Sequence, residues 1–288
     1  MAVAVAAVST AAPLIAATAA SALAIAFWRN AMATALLGPI AVLRFRHELR
    51  RMGRRGLLLT LGAGAMLALH FATWIPALSL TTVASVVALV STQPVWAALI
   101  ARLRGADVPA RAWAGIVLAV LGAGALSGVD FALSARALLG DLLSVAGGVF
   151  GAAYVTLGAE VRRRVSTTSY TAVCYLTAAA LLLVACVASG QWIGGYDTRT
   201  WLMLAALTLG PQLLGHTVFN RVLRTTSATV VSLAYLLEVP GATIIAAVWL
   251  GQLPPLATVP AVLLLLAGIA VVVTGRSGRS GRSGRSDG

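Results

Sequence analysis

The 288 residues are 60 % hydrophobic and only 10 % charged, with mean hydropathy +0.94, a balance that excludes a soluble fold with a polar surface around one core. The formal net charge of +13 and a pI near 11.5 would direct a soluble chain toward nucleic acid. All the basic residues are arginines set between long apolar runs, which excludes that reading and points to a lipid bilayer as solvent.

A spanning helix needs about 20 mostly apolar residues at about 1.5 Å rise each. Ten such spans are predicted, at 1–20, 21–43, 56–78, 81–102, 112–129, 138–160, 167–189, 200–221, 226–250 and 256–274. The run Val262-Leu263-Leu264-Leu265-Leu266 lacks the alternation of a barrel strand, so the spans are helices. No Lys or Arg precedes the first run and arginine-dense spans follow it, so it reads as a first spanning helix rather than a signal peptide.

The second span carries Trp28 and Arg29, with Arg29 roughly 12 Å deep. In the third, His70 and Trp74 share a helical face at i and i+4. Pro94 lies within the fourth, where its missing N–H frees a carbonyl and offers a gate hinge or a fixed kink. Gly122, Gly124, Gly147, Gly148 and Gly151 suit close helix contact in the fifth and sixth. The seventh holds Tyr175 and both cysteines; Cys174 and Cys186 stand roughly 18 Å apart along one helix and do not bridge. Trp192 and Trp201 read as interface anchors around an external loop. In the eighth, Gln212, His216 and Asn220 recur at i, i+4 and i+8 as a polar stripe. The ninth presents Ser232, Tyr235 and Glu238 at three-residue spacing as a stripe on one side of the helix, and Pro240 beyond them, with Glu238 roughly 16 Å deep. The GRS repeat of 275–288 has no apolar residue to bury and is expected to be a disordered tail.

Charge and repetition test this arrangement. The arginines number six at 44–55, three at 102–111, three at 162–164, two at 221–224 and four at 276–285, all on one side of a ten-span chain. Only Arg136 and Arg199 occupy the other side, which places both termini in the cytoplasm of a multi-pass cell-membrane protein. A shift of 146 residues lays Pro94 on Pro240, Gly122 on Gly268, Ala88 on Ala234 and His70 on His216. Each half has five spans, an odd number, so the second enters the membrane inverted. The expected architecture is an all-α membrane protein of two inverted five-helix repeats, 1–129 and 138–274.

The order of A-F-W-R-N at 26–30, L-H-F-A-T-W-I-P-A-L-S-L-T-T-V-A-S at 69–85, Q-P-V at 93–95, G-D-L-L at 140–143, E-V-P-G-A at 238–242 and W-L-G-Q at 249–252 resembles the drug/metabolite transporter superfamily, EamA type. The resemblance spans nearly the whole chain and implies a ten-helix inverted-repeat fold, alternating access, and export of amino acids and other metabolites. Many members have Gly-Glu after the fourth and ninth spans. Here Arg104-Gly105-Ala106-Asp107 and Gly251-Gln252 stand instead, so whatever those acids do in relatives is not carried over.

On this reading Arg29, Trp28, Trp74, Tyr175, Gln212, Asn220 and Tyr235 bind substrate, Glu238, His70 and His216 handle protons, and Pro94 and Pro240 gate. Arg29 either attracts a substrate carboxylate or pairs with Glu238, and the pair alternatively does no more than lock helix packing. The histidines alternatively make ordinary interhelical hydrogen bonds. Eight acids, three histidines and no lysine leave no catalytic or metal-ligating constellation, and no nucleotide-binding loop occurs, so no enzyme activity, cofactor or metal is expected. The expected partners are a small-molecule substrate and the bilayer, not nucleic acid, with a homodimer left open. A non-transporting scaffold subunit is the alternative, though it leaves Arg29 and Glu238 without a role.

Overall fold

Lipid offers no hydrogen-bond partner to a backbone, so a chain this apolar satisfies its N–H and C=O groups within helices. The computed structural model describes residues 1–215 and 233–277, and its regular elements are all helical among them. They are α1 (Ala2–Ser9), α2 (Ala11–Ala17), α3 (Ala22–Arg51), α4 (Gly53–Ala77), α5 (Val83–Val90), α6 (Gln93–Leu103), α7 (Ala110–Leu133), α8 (Ala135–Val161), α9 (Thr167–Ala188), α10 (Thr198–Leu207), a π-helical segment (Thr208–Gly215), α11 (Glu238–Leu250) and α12 (Thr258–Ser277). Eight helical stretches are long and apolar enough to cross a membrane; the broken α1–α2 rod and the rod of α10 with its π segment bring the total to ten.

Entry into the spans follows local chemistry. Ser21, Thr82, Ser134, Ser166 and Asp197 each accept a hydrogen bond from the backbone N–H three residues on, the N-cap that short polar side chains supply. Helix ends differ from apolar-run ends. α3 kinks at Phe45 (φ −125°, ψ 18°) and its helical path then resumes to Arg51, because arginine is a good helix former whose charge reaches water from the end of a span. α7 continues through Asp130 to Leu133, and the stretch expected to link the halves at 130–137 shrinks to Ser134 alone.

Two spans are interrupted. The fourth breaks at Ser91–Thr92, and Pro94 is the second residue of the new helix α6. The ninth breaks at Leu236–Leu237, and Pro240 is the third residue of α11. Neither proline therefore kinks a continuous helix interior, as the sequence suggested. Each occupies a first turn, where a missing N–H leaves no intrahelical bond unmade.

The packing carries the symmetry of the repeat. α3 runs along α9 and α7 along α12, each an element against its own counterpart. The contact of α4 with α8 is echoed by the π segment against α1. Residue by residue, a Cβ on Gly122 would collide with the backbone of Leu265, and a Cβ on Gly268 with the backbone of Ala119. Since 122 and 268, and 119 and 265, differ by the same 146 residues, the two contacts exchange across a twofold between the halves. A Cβ on Gly115 would likewise come within 2.6 Å of the Val272 nitrogen. Gly147, Gly148 and Gly151 admit Trp74, Thr92 and Gln93 against α8, and Gly241 admits Ser9. Gly124 is different: nothing lies within 4 Å of a Cβ built there, so it takes no part in close contact.

This contrast is testable. Gly122→Val should cost about 3 kcal/mol or more, because backbone cannot yield to the new side chain. Gly124→Ala should gain up to about 1 kcal/mol of helix propensity. Thermal unfolding of the detergent-purified variants should show a large fall for the first and none for the second.

Candidate functional site

α3 presents Trp28, Arg29 and Asn30 in succession near the middle of the bundle, and Arg29 is 3 % exposed. A buried guanidinium requires hydrogen-bonding and charge partners. Its Nε donates to Oε1 of Gln212 at 2.6 Å, and its central carbon stands 4.3 Å from the centroid of the Phe71 ring, a cation–π contact. Tyr175 on α9 and Glu238 at the start of α11 lie within electrostatic reach of the same charge. The direct Arg29–Glu238 ion pair held open by the sequence is not formed. Within 4.0 Å, the ion pair among the described residues is the exposed Arg55–Glu160 contact at 3.9 Å.

Gln212 reaches Arg29 from the π-helical segment, not from one face of a regular α-helix as its spacing with His216 and Asn220 suggested. Pro211 has no N–H to return to the carbonyl one α-turn back, and the helix widens there. His216 and Asn220 lie outside the described residues, as does Ser232.

Glu238 is the first residue of α11, so its carboxylate stands at the positive end of a half-helix within the bundle. Tyr235 precedes the break and Glu238 follows it, which separates the single helical stripe expected for them, yet they remain electrostatic neighbours. Tyr235 also packs against the small cluster of Ala4 and Val8 on α1.

Around this centre, two donors remain unspent. Nη1 of Arg29 and Nε2 of Gln212 are fully buried and have no hydrogen-bond partner. An aromatic wall continues from Phe71 to Trp74, 6.5 Å between centroids, and from Trp74 to His70, 6.0 Å. Trp74 is 7 % exposed and its indole Nε1 is also unpartnered. Nδ1 of His70 stands 2.8 Å from the carbonyl oxygen of Gly147; a carbonyl only accepts, so this nitrogen carries the proton and ties α4 to α8.

The two ends of the bundle are closed differently. At the arginine-poor end, the Trp28 indole donates to the Ile193 carbonyl at 2.8 Å and meets Trp201 edge-on at 4.8 Å. Trp201 thus helps fix the loop between α9 and α10 over the site. Trp192 is 76 % exposed, as an interface anchor would be. At the arginine-rich end, Oε2 of Glu48 accepts from the Ser166 N–H at 3.0 Å and the Ser169 hydroxyl at 2.9 Å, joining α3 to the start of α9.

The family described as "EamA-like transporter family" matches residues 1–128 and 138–274. The chain belongs to the EamA-like transporter family. Members are transporters rather than enzymes, and ten helices with a polar centre between two repeats fit a membrane transporter. No curated protein matches the sequence. A solved structure, described only as "Crystal structure of protein", is similar at 21 % identity with TM-score 0.63, over 95 % of this chain and 96 % of that one. At that identity the likeness speaks for the fold alone.

Phe71 and Glu48 were missed by sequence reasoning. Phe71 follows His70 in an apolar run, and nothing marks it as the platform for a charge. Glu48 stands among arginines and reads as a solvated end. Replacing Gln212 by Leu strips Arg29 of its side-chain acceptor. A hydrogen bond to a charged group contributes about 2 kcal/mol, so Gln212→Leu should lower thermal stability by that order while Gln212→Glu should not. Calorimetry on the purified variants checks both.

Proposed function

We propose that this EamA-family protein is a secondary transporter that exports small polar metabolites, amino acids among them, across the cytoplasmic membrane by alternating access. The observation that carries the reading is the buried centre. Two unspent donors, Arg29 Nη1 and Gln212 Nε2, belong to a hydrogen-bonded pair whose arginine is in the electrostatic neighbourhood of Glu238 at a half-helix N-terminus. A substrate carboxylate is the ligand that two such donors suit, and Glu238 suits an ammonium group or a coupling proton.

In this scheme Tyr175, Tyr235 and Trp74 flank the substrate, and Trp28 holds the lid on the arginine-poor side. Asn220 and His216, outside the described residues, remain candidates for substrate binding and for proton handling, with His70 as the counterpart of His216 under the 146-residue shift. Pro94 and Pro240 follow breaks at equivalent places in the two halves, which suits hinges that open one end as the other closes. The eighteen-to-two arginine division supports cytoplasmic termini, so the Trp28 lid faces outward and the Glu48 contact inward.

Counterflow in proteoliposomes with a mixed panel of amino acids and related metabolites tests the proposal. Arg29→Lys should raise the half-saturating concentration of a carboxylate substrate by at least about tenfold, the equivalent of one charge-assisted hydrogen bond. Glu238→Gln should abolish transport or its pH dependence while insertion stays normal. Folded wild-type protein inactive across the whole panel would instead support a scaffold subunit.

A further inference from the structure

At the arginine-poor end, α7 and α8 bring two acids together from opposite sides of the joint between the repeats. Asp130 lies in the last turn of α7 and Asp141 in the second turn of α8, with Ser134 alone between the helices. Gly140 permits the approach of the turn that links α4 to α5: a Cβ there would come within 2.9 Å of Thr81 Cγ2 and 3.0 Å of Leu80 Cβ. Thr81 Oγ1 donates to Oδ2 of Asp130 at 3.2 Å. The carboxyl group of Asp141 faces Asp130, Ser127 and Thr81.

Both acids are 1 % exposed. No donor meets full hydrogen-bond geometry at either oxygen of Asp141 or at Oδ1 of Asp130, although the Ser127 and Thr81 hydroxyls and the Asp130 carboxyl group lie within bonding reach of Asp141. Three of four buried carboxylate oxygens are thus turned on one another and on two hydroxyls. Among the described residues, Arg136 in the first turn of α8 also approaches this turn; it is exposed and directs Nη2 to the Ser79 carbonyl at 3.4 Å. From the second repeat, Gln252 reaches the turn through the Val83 N–H at 3.4 Å and brings no charge. Two carboxylates buried side by side repel each other and have lost hydration, so the arrangement persists only with a positive charge between them.

We propose that Asp130 and Asp141, with the hydroxyls of Thr81 and Ser127, form a binding site for one small monovalent cation, a proton or a sodium ion, distinct from the Arg29–Glu238 centre. Because Asp130 lies near the end of the last helix of the first half and Asp141 near the start of the first helix of the second, the bound charge pins the two helices together at this end. Its departure sets like charges against each other across the joint and loosens it. The hydroxyls supply oxygen ligands to sodium, or hydrogen bonds to a protonated carboxyl group.

The test uses the full chain reconstituted in lipid nanodiscs at neutral pH, wild type beside Asp130→Asn and Asp141→Asn, in sodium chloride and in choline chloride. Infrared spectroscopy reads protonated carboxyl groups directly, and thermal unfolding reads cation binding. With a proton as ligand, the wild type shows a carboxylic-acid band in both salts that each Asn variant loses. With sodium as ligand, the band appears only in choline, and sodium raises the unfolding temperature of the wild type but of neither variant. A wild type with no band sensitive to these substitutions and no unfolding shift between salts overturns the proposal. The wild-type comparison alone keeps it falsifiable if an Asn variant fails to fold. Because the readout is binding and not transport, failure here leaves the proposed export reaction standing, and the reverse holds.

Discussion

Everything in this molecule depends on how closely helix backbones approach where lipid, not water, surrounds them. Helix association inside a bilayer gains little from the hydrophobic effect and rests on contact at small residues. At the crossing of α7 and α12 the two backbones come close: Gly122 lies against Leu265 and Gly268 against Ala119, the same contact made twice. Glycine costs a helix about 1 kcal/mol in propensity at each position. What offsets this is a crossing that holds the last helix of each repeat against its counterpart, so the twofold between repeats is built into the packing.

The same symmetry explains where polar chemistry is tolerated. A twofold between inverted halves leaves an interior where helix ends, breaks and polar side chains meet without facing lipid. Both interrupted spans break next to a first-turn proline, and one of them places Glu238 on a half-helix N-terminus. The eighth rod widens at Pro211 and hands Gln212 to Arg29. Gln212 and Glu238 therefore both reach the centre through a local departure from regular helix. The contacts at the two ends, Trp28 to Ile193 and Glu48 to Ser166, join residues of the first repeat to residues of the second.

The sequence made the ten spans and the inverted repeat legible, because hydropathy, arginine placement and the 146-residue period each report on lipid or on symmetry. Arg29 and Glu238 were legible too, since an ionisable group within an apolar run stands out against its neighbours. Partners were not. Arg29 and Gln212 are 183 positions apart, and only tertiary packing joins them. The π-helical turn was hidden because a Gly-Pro pair also fits a kink, and the periodicity assigned to Gln212 presumed a regular helix. Asp130 and Asp141 were overlooked because apolar-run boundaries cut just before the first, and the second passed as part of a family pattern. Gly124 resembled Gly122 in sequence and differs only in what faces it.

The central claim is that the buried donors of Arg29 and Gln212 receive a carboxylate and that Glu238 receives the opposite charge. Isothermal titration of purified protein with an amino acid, with the amine lacking its carboxylate, and with the acid lacking its amine tests this most directly. The account predicts measurable binding of the zwitterion and loss of at least about tenfold in affinity for each truncated analogue, in line with a removed charge-assisted contact. Equal affinity for the amino acid and its decarboxylated analogue would contradict it.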